Sequence, residues 1–585
     1  MMMMMDLAIV ALLLFAVPFV AEAQSMDNED ILDCRALEVD FIVNEGDATA
    51  TAIEDDIVKD LAKVGITVNT RLLSKDDLNE AMVNGDFNLA FSETWGAPYD
   101  PHAFAASWAT PDEAYYSSLE GLQGSMNKTV LSEKVANALV LESEGEREEA
   151  WTEILSALHS QATELPFSGK RIPAVINKRL TGYSPGHQQF DYPAHTLRVL
   201  SGPATVTVAP GAQTGLFSSE TGVGRLDPHT YRPNEFFASN WIYDGLVEYG
   251  PGGTIIPALA ESWKVEDWPE NGQLYTFNLR DGVTFHDGAE WNCSVAKLNF
   301  DHVLSKPLTG PDWHGWYGLP GQIDGWSCVD DMTLAVTTKE KYYPLLQELS
   351  FIRPLRMLSP NLFVGGLQSD PLTQNSCHEG FGNITDEASG VTIQCAGMVG
   401  GGVSSGGDAI GTGRWKYVKT EKEGDREDGG IKKVHFAINE DHWDAPSGKH
   451  VEELVVVHYP SHTEVKKALL DGGLDAVLGS GVLTELDIAD LKRNHTDKVF
   501  VSLTEPIMNR IVVMNTARAP TDDLSVRKAI IHSIDKDRII KKELGGLDEP
   551  AESLFPKDAP YSGAHLTPIP DYDYEKARML NCPSA

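Results

Sequence analysis

The chain has 585 residues, enough for several domains or two large ones, and its 42% hydrophobic and 23% charged content is that of a globular protein with sizeable cores. Lys plus Arg number 47 against 86 Asp plus Glu, a formal charge of -39. That balance repels phosphate backbones and excludes nucleic acid as a partner class.

The amino-terminal run Leu7 to Val20 is apolar and ends at Ala21-Glu22-Ala23, a small-x-small cleavage pattern. It is too short for a membrane span, so residues 1–23 read as a signal peptide and predict secretion to a periplasmic or extracellular compartment. Asp40 to Val43 reads as a strand and Ala52 to Val64 as an amphipathic helix, with Ile53, Ile57, Leu61 and Val64 on one face. Ile66 to Thr70 alternates as a strand, Lys75 to Val83 is helical, and Phe87 to Phe91 is a strand. Two helical runs lie within Asn127 to Gln161. This alternation predicts an α/β lobe.

The pattern changes after Ala204, where Ala204 to Val208 reads as a strand and Glu235 to Tyr243 as a helix. A hairpin with the turn Pro251-Gly252-Gly253 follows. Leu274 to Leu279 and Leu334 to Thr338 are strands, with a helix over Ala296 to Val303 between them. Gly365 to Gly413 is rich in Gly and Ser and reads as a long inserted loop. Lys432 to Asn439 and Val451 to His458 are strands, Glu464 to Leu470 is a helix, and Asp522 to Ile540 is one long helix ahead of a Pro-rich tail.

The six cysteines are Cys34, Cys293, Cys328, Cys377, Cys395 and Cys582. None forms a CxxC pair, which argues against zinc-ribbon and thioredoxin chemistry, and an even count in a secreted chain points to disulfides. Sequons stand at Asn127, Asn292, Asn383 and Asn494 and permit glycosylation. Gly402-Val403-Ser404-Ser405-Gly406 matches a GxSxG nucleophile elbow, with Ser404 as the nucleophile of a serine hydrolase. The Gly- and Ser-rich surroundings generate that pattern by composition, so a non-enzymatic protein is expected.

Several strings carry a stronger signal. They are Thr94-Trp95-Gly96-Ala97-Pro98-Tyr99-Asp100-Pro101-His102-Ala103-Phe104, Trp241-Ile242-Tyr243-Asp244-Gly245-Leu246-Val247, and Phe277-Asn278-Leu279-Arg280-Asp281-Gly282-Val283-Thr284-Phe285-His286-Asp287-Gly288. Tyr342-Tyr343-Pro344-Leu345-Leu346 and Asn515-Thr516-Ala517-Arg518-Ala519-Pro520 add to them. Together they resemble solute-binding protein family 5, the extracellular binding proteins of bacterial peptide and nickel ABC importers, and the nickel-binding branch above all. The order is shifted: the Trp95 string, late in that family, here precedes the strings from Trp241 onward. The resemblance therefore implies a circularly permuted chain.

The resemblance implies a two-lobed, class II periplasmic-binding-protein-like α/β fold with a hinge and an interlobe cleft. Residues 168–512 would form the first lobe, and 35–165 with 518–582 the second. It also gives the cysteines an arrangement. A Cys34–Cys582 disulfide would re-close the cut connection, with Cys293–Cys328 and Cys377–Cys395 as the other pairs. In the cleft, Arg353 is the expected ligand contact, since a guanidinium fork suits a carboxylate or a carboxylate-bearing chelate. Read from its surroundings alone, Arg353 serves either that role or a structural ion pair. Trp95, Tyr99, Trp313, Trp316 and Phe236 are expected aromatic walls, and core packing is the other reading of each. Glu113 falls where the nickel branch has a cleft histidine, and a carboxylate is the poorer nickel ligand. His102 is a weak metal candidate. The implied function is capture of nickel, a metal chelate or a short peptide by a monomer, with an ABC-type permease as partner and no certain cofactor. An extracellular sensor or scavenger is the alternative.

Overall fold

A computed structural model describes residues 35–581 apart from 112–114, 142, 212–227, 230–235, 305–317, 353, 364–365, 369–382, 387–390, 395–408, 423–430, 446–447, 460 and 562–565. Two large sheets organise the described residues, each with helices against it. The six-stranded sheet runs Ile66–Leu73, Leu37–Asn44, Leu89–Glu93, Met508–Met514, Glu164–Lys170, Glu549–Pro550. Leu37–Asn44 is parallel to both of its neighbours, whereas Met508–Met514 pairs antiparallel with Leu89–Glu93 and with Glu164–Lys170. The parallel strands are joined through helices Ala48–Ala62 and Lys75–Asn84, as parallel connections require.

Both faces of this sheet are covered. Val39, Phe41 and Val43 pack with Ile53, Ile57 and Leu61 of the first helix and with Ile530 and Ile534. On the other face, Ile42 and Ala90 meet Phe104, Trp108, Trp151 and Leu155. Side chains of successive strand residues alternate between faces, so one strand supplies both cores. Local sequence sets the helix limits. Asp47 accepts from the backbone N–H of Ala50, and Ser74 accepts from that of Asp77. Ser143 and Glu146 form a reciprocal capping box on Glu144–Gln161.

The seven-stranded sheet runs Trp415–Lys422, Ile431–Ile438, Glu453–Val457, Thr205–Pro210, Ala476–Leu478, Pro173–Asn177, Val499–Leu503. Thr205–Pro210 is parallel to both Glu453–Val457 and Ala476–Leu478. A four-stranded antiparallel sheet, Ala260–Trp268, Gly272–Leu279, Thr333–Thr338, Ile323–Asp330, carries a satellite core with helix Cys293–Leu304. The Cys293–Cys328 disulfide joins that helix to the sheet, as expected. The other four cysteines lie outside the described residues.

Three expectations are refined. The chain passes between the large sheets twice, from Lys170 to Pro173 and from Leu503 to Met508. Met508–Met514 therefore belongs to the six-stranded sheet, a few residues before the expected lobe boundary at 512, and strand Glu164–Lys170 spans the expected break between 165 and 168. Extended strands run from one sheet into the other without a linker, so composition marks no boundary. The single helix expected over 522–540 is two, Leu524–Ser533 and Lys536–Glu543. Ile534 is extended, and Asp535 caps the second helix by accepting from Arg538 N–H. Within the inserted loop at 365–413, Asn383–Asp386 pairs with Val391–Gln394 as a short hairpin.

Candidate functional site

In each large sheet the parallel strands end toward a common cavity of 980 Å³. One wall comes from the six-stranded sheet: Asn44 to Ala50, beyond strand Leu37–Asn44, and Glu93 at the end of Leu89–Glu93. The facing wall is Ser461-His462, beyond Glu453–Val457, and Ser480 to Glu485, beyond Ala476–Leu478. Ligand crevices of open α/β sheets form at these carboxyl ends, because the loops there splay apart while the strands stay paired. The lining mixes Ile42, Phe91, Phe167 and Leu483 with hydroxyl and charged groups.

The floor of the cavity is an ion network. Arg510 reaches Glu485 at 2.7 Å, Asp548 at 2.8 Å and Glu93 at 3.2 Å, and Lys170 binds Glu93 at 2.9 Å. Glu485 opens helix Glu485–Asn494 of the seven-stranded unit, so its contact with Arg510 crosses between the lobes. Thr49, from the opposite wall, donates its hydroxyl to the same carboxylate at 3.5 Å. Partial burial raises Glu93 and Glu485, but Arg510 and Lys170 outweigh it and hold both below the ordinary carboxylate value. Sequence reading missed this network. Its one available signal was Arg510, a lone cation in the apolar strand Met508–Met514.

The Trp95 string forms a second contact between the lobes. Trp95 is half-buried, edge-on to Tyr99 at 6.5 Å and to Phe104 at 5.6 Å. Tyr99 is buried and meets Phe351 of the first lobe at 4.6 Å between ring centres. The turn is tight: Gly96 has φ +78°, and a side chain there would press on the Ile507 carbonyl. Asp100 is buried and accepts from the Trp95 backbone N–H at 3.2 Å, and burial pushes its carboxyl up to about 7.

His102 faces the other lobe. It is buried, its Nδ1 is 3.0 Å from the Tyr343 hydroxyl, Trp151 stands edge-on at 5.4 Å, and burial lowers its imidazole to about 3. Arg147 lies over Tyr343 at 4.3 Å and over Tyr561 at 5.1 Å, completing an aromatic cluster that joins the lobes. Among the described residues no group of three or more His, Cys, Asp or Glu is arranged to hold a metal ion. Arg353, Trp313, Trp316, Glu113 and the side chain of Phe236 lie outside the described residues, as does Ser404.

The family model of bacterial extracellular solute-binding proteins, family 5 (middle region), matches residues 254–580. The chain belongs to this family. The nickel-binding periplasmic protein of Escherichia coli is 32% identical over 61% of this chain and 58% of its own length. The E. coli dipeptide-binding protein is 25% identical over 64% of each chain, and heme-binding protein A of Haemophilus influenzae is 26% identical over 59% of this chain and 56% of its own. The chain thus spans less than two thirds of the length of these relatives. Among solved structures, NikA from Brucella suis in complex with Fe(III)-EDTA is 27% identical, covers 65% of this chain and 64% of its own, and has a TM-score of 0.46. NikZ from Campylobacter jejuni in complex with Ni(L-His) is 19% identical, with 65% and 63% covered and a TM-score of 0.41. No helix among the described residues is long and apolar enough to cross a membrane.

Proposed function

We propose that this family 5 member is a secreted solute-binding protein that captures a small solute between its lobes for ABC-type uptake. The observation that carries the reading is the 980 Å³ cavity, bounded on both sides by the carboxyl ends of parallel strands and spanned by Arg510–Glu485. Its size and mixed lining suit a metal chelate or a short peptide. Capture of this kind needs no covalent step, so no catalysis is assigned. Trp95 and Tyr99, which do not line this cavity, remain proposed contacts together with Arg353, Trp313, Trp316, Phe236 and Glu113. The resemblance of the Trp95 and Trp241 strings to the nickel branch favours a metal chelate over a peptide.

Native mass spectrometry of protein purified without added metal, followed by thermal shift with Ni(II)-histidine, Fe(III)-EDTA and dipeptides, tests this. A retained solute or a rise in Tm with one probe class is expected, since binding to the folded state alone must raise apparent stability. No bound mass and no shift with any probe would overturn it.

The chain is also proposed to be a circular permutant. Arg35 and Asn581, at opposite ends of the described chain, bond to each other twice, from Arg35 N–H to the Asn581 carbonyl at 3.2 Å and from the Asn581 amide to the Arg35 carbonyl at 3.2 Å. Permutation joins old termini that lie close and opens the chain at an exposed connection. It also accounts for matches that cover only part of each relative.

A further inference from the structure

Two buried imidazoles of the first lobe face each other. His229 Nδ1 is 2.9 Å from His302 Nδ1, and both residues are 8% exposed. The ring centres are 5.1 Å apart. That is close to the nitrogen separation plus two ring radii, so the nitrogens meet head-on along the line between the rings. A metal ion held by both would instead sit beside that line, with the rings converging on it. The contact is therefore a hydrogen bond with one shared proton.

The position of that proton follows from the second nitrogen. His229 Nε2 lies 2.7 Å from the Arg356 carbonyl oxygen. A carbonyl only accepts, so Nε2 carries a hydrogen and His229 Nδ1 is left with a lone pair. His302 Nδ1–H is then the donor. Both rings are neutral, and Phe363 stands edge-on to His302 at 5.1 Å.

The bond ends at a segment that meets the other lobe. Arg356, whose carbonyl His229 holds, is fully buried, and its guanidinium donates to the Phe351 carbonyl at 2.9 Å and to the Ser350 carbonyl at 2.9 Å. Phe351 is the ring against Tyr99. Arg353, the proposed ligand contact, lies between Phe351 and Arg356 in sequence. Helix Cys293–Leu304 grips the same segment a second time, through Asn299 Oδ1, which accepts from Leu358 N–H at 2.8 Å.

We propose that His302 is a positioning residue for solute capture: its hydrogen bond to His229 holds the Arg356 carbonyl, and through Arg356 the Phe351 ring that the first lobe sets against Tyr99 when the lobes meet. This rests on the solute-capture reading. Histidines in this role need not touch the solute; they set the geometry of the groups that do.

Calorimetry with Ni(II)-histidine, Fe(III)-EDTA and a dipeptide on wild-type, His302→Leu and His302→Gln protein tests the role. Leu removes the donor, and the affinity for whichever probe binds is expected to fall roughly tenfold, the scale of a lost buried hydrogen bond. Gln keeps an N–H donor toward His229 Nδ1 and is expected to restore most of the loss. Equal affinity in wild type and His302→Leu, or equal loss in Leu and Gln, would overturn the role. In wild-type protein with 15N-labelled histidine, NMR at neutral pH is expected to show one Nδ1–H bridging two Nδ1 atoms. If both rings instead carry their proton on Nε2, the shared proton does not exist. Binding of none of the probes by wild type sinks solute capture and the positioning role with it, while the NMR result decides the hydrogen bond separately.

Discussion

Asp100 and His102 sit two residues apart in the Trp95 string, are both buried, and titrate in opposite senses. Burial disfavours the charged form of each, which raises a carboxyl and lowers an imidazole. Asp100 moves from 3.8 to about 7, so between those values the folded state holds the extra proton and stability falls as pH rises. His102 moves from 6.5 to about 3, so over that range the unfolded state holds the extra proton and stability rises with pH. The two slopes oppose each other in the wild-type chain, and a single substitution unmasks one of them. Asp100→Asn keeps an Oδ1 acceptor for the Trp95 N–H and cannot ionise. Its Tm relative to wild type is expected to climb as pH rises from about 4 to about 7, read from thermal unfolding in matched buffers. A pH-independent difference would show that Asp100 does not carry the slope.

At the level of elements, the floor of the cleft is held by charge as well as by packing. Strand Met508–Met514 places Arg510 between Glu93 of a neighbouring strand, Asp548 near the sheet edge and Glu485 at a helix start of the other lobe. The side chain of Arg510 is 13% exposed and that of Asp548 4%, so removing the cation leaves Asp548 buried without its charged partner. Breaking such a pair costs about 3–5 kcal/mol. Arg510→Met is expected to lower the unfolding free energy by about 3 kcal/mol, measured by urea denaturation. Glu485→Gln removes only the charge that crosses between the lobes, and is expected to weaken solute affinity more than stability, because closure and not folding depends on it. An affinity equal to wild type would place closure elsewhere. The Cys293–Cys328 disulfide acts at the same scale, joining the start of helix Cys293–Leu304 to strand Ile323–Asp330 across 35 residues.

For the whole molecule, the order of the chain matters less than the order of the sheets. The six-stranded sheet takes strands from 37–44, 66–73, 89–93 and 164–170, then from 508–514 and 549–550, and the last described helix, Tyr574–Asn581, packs beside Leu524–Ser533. Arg35 also donates to the Leu580 carbonyl at 3.0 Å and pairs with Asp523 at 2.8 Å, so the two chain ends share one anchor. Cys34 and Cys582 are the immediate sequence neighbours of Arg35 and Asn581. Non-reducing peptide mapping is expected to recover them as one cross-linked pair; a free Cys34 thiol would remove the proposed closure. The three-dimensional arrangement, with ends in contact, predicts that a chain reopened before Ala204 and joined from Asn581 to Arg35 folds to the same sheets, checked by circular dichroism and Tm.

Much of the fold was legible in the residues. The helix Ala48–Ala62 announces itself by an apolar face, although its cap at Asp47 lies ahead of the expected start at Ala52, and strands such as Leu37–Asn44 by β-rich apolar runs; these are local signals. The split of 522–540 at Asp535 was in the sequence too, as a capping aspartate, but an unbroken apolar stripe concealed it. The joint motifs determined the family, and the pairing of Cys293 with Cys328 followed from the resemblance. Which groups meet across the cleft was decided only by tertiary structure. Arg510 and Glu485 are 25 residues apart, and Thr49 and Glu485 are 436. No local periodicity encodes such contacts, because they depend on how two separately built sheets face each other. For the same reason the contact of His102, in the most informative string of the chain, with Tyr343 of the opposite lobe was not legible in the sequence.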